Sequence, residues 1–211
     1  MNIHSIRNEY QQGELTAENL ERDPFVQFGK WLQEAVSRKV AEPTAMALAT
    51  VGRDGFPQVR TVLLKSFGAG GFVFFTNLQS EKGQAIAADN RVSLLFFWPE
   101  LQRQVRITGS AERVSDAEAD EYFRTRPVNS RLGAWASEQS QVIPSRRHLE
   151  HRFFDYEKEF AHQEIPRPHY WGGYRVVPLK MEFWQGRENR LHDRFLFLLQ
   201  GGQWTISRLA P

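Results

Sequence analysis

Two clusters of cationic side chains carry most of the chemistry this sequence offers. The first is Arg60-Thr61-Val62-Leu63-Leu64-Lys65, in which two cations bracket an apolar run. A guanidinium fork and an ammonium so placed suit phosphate oxygens, the fork by paired N–H donors and the ammonium as a point charge. The same pattern also suits an edge strand carrying protective charges. Residues 60 and 65 differ in parity, so a regular strand points them to opposite faces. One site uses both only across a bulge or at the strand's end. The second cluster lies in Trp184–Arg194, where Arg187, Arg190, His192 and Arg194 crowd a turn and the strand leaving it. Read as a strand, it puts Arg190, His192 and Arg194 on one face. Such a row repels itself unless an anion faces it, and its alternative is the solvated face of a hairpin. A third group, Tyr122, Arg126 and Ser130, has the residue types for holding a phosphate monoester.

Other chemistries lack their residues. The chain has no Cys, which removes disulfides, thiolate metal sites and a Cys nucleophile. It has no G-x-x-x-x-G-K-[ST] loop and no G-x-S-x-G elbow. Gly68-Ala-Gly70 begins like a dinucleotide loop, but position 73 is Val and the segment joins two strands, so a hairpin turn is the better reading. His148 and His151 share a helix face, yet Arg146, Arg147 and Arg152 beside them repel a metal cation. The formal charge of +2 is too small for a whole-surface nucleic-acid binder. The polar N-terminus has no apolar signal region, and the run Val92–Trp98 falls far short of the roughly 18 residues a membrane helix needs. A soluble cytoplasmic protein, with no nucleic acid and no membrane as partner, is the expectation.

The elements that must position these groups follow from the hydrophobic period. Residues 1–22 read as a flexible N-terminal segment with at most one short helix, and 23–211 as a single α+β domain. Asp23-Pro24 opens a helix whose face is Phe25, Phe28, Leu32, Ala35 and Val36. The period then becomes that of strands: 45–51, 58–65, 72–76, 91–98 and 104–114, with one helix at 80–89 capped by Ser80. Ser115-x-x-Glu118 opens a helix through Tyr122. Residues 129–138 and a longer stretch from Pro144-Ser145 to about His162 are helical. Strands return at 173–177, 179–185, 194–199 and 203–208, the last two joined by Gly201-Gly202. Strands joined mostly by turns predict an antiparallel sheet or barrel.

Taken together, the clusters resemble the pyridoxine (pyridoxamine) 5′-phosphate oxidase family. The resemblance runs from about Ile6 to Pro211. It is carried by Arg60-x-Val-Leu-Leu-Lys65, Phe75-Thr-Asn77, Arg103-Gln-Val105, Gln139-Ser140, Trp171-Gly-Gly173, Phe183-Trp-Gln-Gly186, Arg190-Leu-His-Asp-Arg-Phe195 and Arg208-Leu-Ala-Pro211. It implies an FMN-binding split β-barrel working as a homodimer, with two sites at the subunit interface. It implies FMN contacts from Arg60, Thr61, Val62, Leu63, Leu64, Lys65, Phe75, Thr76, Glu81, Lys82, Gln104, Gln139, Ser140, Trp184 and Arg194. The substrate phosphate then meets Lys65, Tyr122, Arg126 and Ser130. Arg190, Leu191 and His192 lie at the substrate ring, with Arg190 and His192 as the catalytic pair, and Arg7 and Tyr10 close over it. Two positions depart from relatives: Phe75 replaces a Tyr found in some, and Glu81 replaces an Arg beside Lys82.

The implied reaction oxidises the 4′ carbon of pyridoxine or pyridoxamine 5′-phosphate to the aldehyde, with O2 as acceptor and H2O2 as product. The amine also releases ammonia. Arg190 would stabilise negative charge on the substrate, and His192 would orient it or accept a proton. Two rivals stand beside this reading. A flavin carrier without oxidase activity needs no second phosphate site, so Tyr122, Arg126 and Ser130 speak against it. A nucleic-acid binder is opposed by the charge balance.

Overall fold

Phe28 shows how the first helix is fixed. The computed structural model describes Asn2, His4 and residues 9–211. Helix α1 (Pro24–Ser37) starts where the Asp23 carboxylate accepts from the N–H groups of Phe25 and Val26, with Pro24 at its first position. Its inward face buries Phe28 and Trp31, and the Phe28 ring meets Phe67, Phe72 and Phe96 edge-on at 4.9 Å each. Truncating a ring so enclosed costs about 3–5 kcal/mol. No helix precedes α1 among the described residues. Residues 9–22 run along the barrel, with Leu15 buried and its N–H donated to the Asp193 carboxylate.

Among the described residues nine strands form one antiparallel sheet: β1 (Ala45–Val51), β2 (Pro57–Leu63), β3 (Ser66–Gly68), β4 (Gly71–Asn77), β5 (Arg91–Trp98), β6 (Arg103–Arg113), β7 (Trp171–Gln185), β8 (Asp193–Gln200) and β9 (Gln203–Arg208). The pairing order is β2-β1-β5-β6-β7-β4-β3, with β8 joined to β7 and β9 to β8; β3 is a strand the sequence reading does not contain. The three-residue β3 is too short to show a period. Alternation is clean in β1 and β5, where Met46, Leu48, Val92, Leu94, Phe96 and Trp98 point into the core.

The expected strands 173–177 and 179–185 are one strand, β7, of 15 residues. Pro178 sits at a register shift opposite Thr108/Gly109, so the ladder survives a residue that donates no hydrogen bond. A Cβ on Gly109 would lie 2.0 Å from the Val177 carbonyl oxygen, so the close approach needs glycine. The first part of β7 pairs with β4 and the second with β8. This fork lets one strand serve both regions of functional residues.

The helices pack outside the sheet. Helix α2 (Glu81–Ala88) is capped by Ser80 and α3 (Asp116–Thr125) by Ser115. Helices α4 (Val128–Ala136) and α5 (Arg146–Glu159) follow, the latter ending short of His162. The Arg152 guanidinium and the Tyr170 hydroxyl donate to the carbonyls that end α4, fixing where residues 137–140 leave it. No described helix is long and apolar enough to cross a membrane.

Candidate active site

A cavity of about 670 Å³ opens between the ends of β2 and β4, the start of α2, and helices α3 and α4. Among the described residues Lys65, Lys82 and Arg126 line it, and no carboxylate does. The parity of residues 60 and 65 is resolved by where β2 stops. Leu63 is its last residue, Leu64 turns into the core, and Lys65 stands beyond the strand with its N–H on the Val73 carbonyl. Thr61, Val62 and Leu63 also line the cavity. Arg60 stays on the strand behind it, donating to Thr50 Oγ1 at 2.7 Å, the Leu48 carbonyl and Gln58.

One wall is aromatic. Phe75 stacks on Tyr122 at 4.2 Å and on Trp171 at 5.3 Å between ring centroids. A Cβ on Gly173 would stand 2.7 Å from the Phe75 ring, so glycine there makes room for the stack. The Arg126 guanidinium lies over Trp171 at 4.8 Å. The Lys82 ammonium reaches Gln139 Oε1 at 3.1 Å and Ser80 Oγ at 3.3 Å, and Thr76 Oγ1 donates to the same Gln139 oxygen. Ser130 completes the group with Tyr122 and Arg126.

The electrostatics of this cavity call for an anion. Nη1 of Arg126 is buried without a hydrogen-bond partner among the described residues. Burial holds Arg126, Lys82 and Arg60 below their ordinary pKa ranges. Arg60 pushes Lys82 further down, and Glu81 partly offsets this. Among the described residues Arg60 and Lys82 donate to neutral groups and none of the three cations pairs with a carboxylate, so a bound phosphate would supply the missing counter-charge. The donors and the aromatic wall suit a phosphorylated aromatic group such as FMN.

The other expected residues stand apart. Gln104, Trp184 and Arg194 are side by side across β6, β7 and β8. The Trp184 ring packs against His192 at 4.7 Å and against Tyr10 at 5.7 Å. None of these residues lines the first cavity. Tyr10 and Leu191 line a separate hollow of about 530 Å³. Arg7 lies outside the described residues. Glu81 and Ser140 flank the first cavity without lining it, while Gln139 reaches in. Ser140 and Arg190 have φ of +73° and +64°, a region costly for residues with a Cβ.

The strand reading of Arg190, His192 and Arg194 needs correction. Arg190 ends a short turn, Glu188–Arg190, and β8 begins only at Asp193, so the three do not form a row on one face. Arg187 and Arg194 already have acidic partners, while Arg190 forms no ion pair among the described residues. Arg194 pairs with buried Glu182 at 2.8 Å, and Arg187 pairs with Asp193 at 3.1 Å and Glu14 at 3.3 Å. His192 Nδ1 accepts the Arg187 N–H at 3.0 Å. Burial, then the nearby Arg190 guanidinium, hold the imidazole below its usual pKa. With Nδ1 accepting, the neutral ring carries its proton on Nε2. Trp171, Thr125 and Ser137 also line the first cavity and were not expected there. Trp171 stood in a recognised motif, but stacking on Phe75 is a tertiary fact.

The curled antiparallel sheet with flanking helices defines the class of FMN-binding split-barrel proteins. Its fold matches that of a pyridoxamine 5′-phosphate oxidase-related, FMN-binding protein from Nostoc punctiforme at a TM-score of 0.71 and 16% identity, over 91% of this chain and 100% of that one. PhzG from Burkholderia lata, solved with tetrahydrophenazine-1-carboxylic acid, superposes at a TM-score of 0.87 with 30% identity, over 92% of this chain and 95% of that one. Residues 32–158 match the pyridoxamine 5′-phosphate oxidase family, and residues 171–211 match the pyridoxine 5′-phosphate oxidase C-terminal dimerisation region. A pyridoxine/pyridoxamine 5′-phosphate oxidase of Nostoc punctiforme is 51% identical over 99% of this chain and 98% of its own length. The chain belongs to the pyridoxamine 5′-phosphate oxidase family.

Proposed function

We propose that the chain is an FMN-dependent oxidase that converts pyridoxine 5′-phosphate or pyridoxamine 5′-phosphate to pyridoxal 5′-phosphate. The alcohol reacts with O2 to give the aldehyde and H2O2. The amine reacts with O2 and water to give the aldehyde, ammonia and H2O2. The observation that carries this reading is the cavity with three cations, no carboxylate and an unpartnered Arg126 Nη1 beside an aromatic wall.

FMN, when bound, supplies the two-electron acceptor that O2 regenerates. Lys82, Arg60, Thr76 and Gln139 are the residues to hold its phosphate end, and Phe75 stands at the wall beside them. Lys65, Tyr122, Arg126 and Ser130 bind the substrate phosphate, which fixes the ring and spares the reaction its orientational entropy. Arg190 and His192 sit outside this cavity in the same chain, on elements within the matched dimerisation region. A second copy brings them to the site, so that each site is built by both subunits. Arg190 then stabilises negative charge that grows on the substrate. His192, with Nδ1 occupied, donates from Nε2 to a substrate oxygen and does not take a proton.

The test is direct. The purified protein should be yellow, and adding pyridoxine 5′-phosphate should yield pyridoxal 5′-phosphate and H2O2 in equal amounts. Pyridoxamine 5′-phosphate should also release ammonia. A yellow protein that turns over neither compound would be a flavin carrier and would end this reading.

A further inference from the structure

Glu81 poses a physical problem that the fold solves with a neutral side chain. It occupies the first position of α2, next to Lys82, which points into the cavity. A carboxylate at that point competes with any bound phosphate for the helix N-terminus and for the cations. Glu81 nevertheless forms no ion pair among the described residues. Its Oε1 accepts from Gln58 Nε2 at 2.9 Å, and Gln58 Oε1 accepts in turn from Arg60 Nη2 at 3.2 Å. The Gln58 main-chain carbonyl takes a second, longer bond from the same guanidinium, 3.4 Å from Nη1. One carboxamide thus sits between an acid and a base that would otherwise attract each other directly. It shares the inward face of β2 with Arg60, two residues away.

We propose that Gln58 is a positioning residue for the phosphate-binding end of the FMN site, keeping Glu81 off Arg60 and Lys82 so that both cations remain available. The inference rests on the FMN reading above and extends it to a residue outside the expected contacts. Without Gln58, the carboxylate swings to the nearest cation and neutralises it. Arg60 also loses one of the bonds that hold its fork, though Thr50 and the Leu48 carbonyl remain.

The experiment titrates the apoprotein with FMN and, separately, with riboflavin, which lacks the phosphate, following flavin fluorescence at low and high salt. Gln58→Ala should weaken FMN about 3- to 10-fold, within the range of one net hydrogen-bond contribution, and leave riboflavin unchanged. Glu81→Gln should tighten FMN, most at low salt. In the Glu81→Gln background, Gln58→Ala should cost less than half its original factor, because the competing charge is gone. Gln58 is half-buried on an edge strand, so the melting temperature should hold within a few degrees. Equal losses for FMN and riboflavin, or the same loss with and without Glu81, would overturn the proposal. Failure of the unaltered chain to bind FMN would overturn the cofactor reading and this inference with it.

Discussion

Replacing Arg126 by Met separates binding from stability, because the side chain pays in one and gains in the other. Met keeps the stem over Trp171 and removes the guanidinium, now 4.8 Å from that ring. The loss of the cation–π contact costs about 0.5–2 kcal/mol of folding stability. Against it stands the relief of a desolvated charge whose Nη1 has no partner. The two offset, so stability should change by no more than about 1 kcal/mol, or roughly 2–4 °C in Tm for a domain of this size. Binding has no such offset. A hydrogen bond to a charged group is worth about 1.5–3 kcal/mol, so KM for the phosphorylated substrates should rise roughly 10- to 150-fold. Steady-state kinetics, the flavin absorbance of the purified variant and a thermal melt measure the three quantities. An unchanged KM with a Tm lower by ten degrees would make Arg126 a structural residue. An unchanged KM with lost flavin would mean that Arg126 holds the cofactor and that the two phosphate clamps are assigned the wrong way round.

Two further outcomes follow from the separated residue groups. Heterodimers purified with two tags from Lys65→Met and Arg190→Met chains, each inactive as a homodimer, should recover about half the wild-type activity, because one of two symmetric sites is then intact; inactive heterodimers would show that each site draws both residues from one chain. Removing the Arg190 charge, as in Arg190→Ala, should raise the His192 pKa toward its usual value, read by an NMR titration of the imidazole in the flavin-free protein. Because the folded pKa lies below the unfolded one, His192 costs no stability above about pH 6.5, and its cost grows as the pH falls through that window and is complete below the folded pKa. Arg190→Ala should shrink that acid-side loss; an unchanged or lower pKa would refute the coupling.

The strands and helices were largely legible because each writes its own period. The alternation of β1 and β5, the Asp23-Pro24 start of α1 and the caps Ser80 and Ser115 are local matters of burial and orphan N–H groups, decided within a few residues. The short β3 and the continuity of β7 across Pro178 were not, since pairing partners far along the chain settle them. The site divides in the same way. The residue types of Tyr122, Arg126 and Ser130 suit a phosphate monoester and the resemblance adds Lys65, but only the fold brings the four to one cavity. The reading of Arg190, His192 and Arg194 as one strand face did not hold, and Glu182 and Asp193 pair with Arg194 and Arg187 through contacts that only the sheet register creates. The Phe75–Tyr122–Trp171 stack, the Gln58 bridge and the separation of His192 from the cavity were likewise tertiary. Charge and hydrogen bonding act over a few ångströms in space, whatever the separation along the chain, and the fold alone decides which groups come that close.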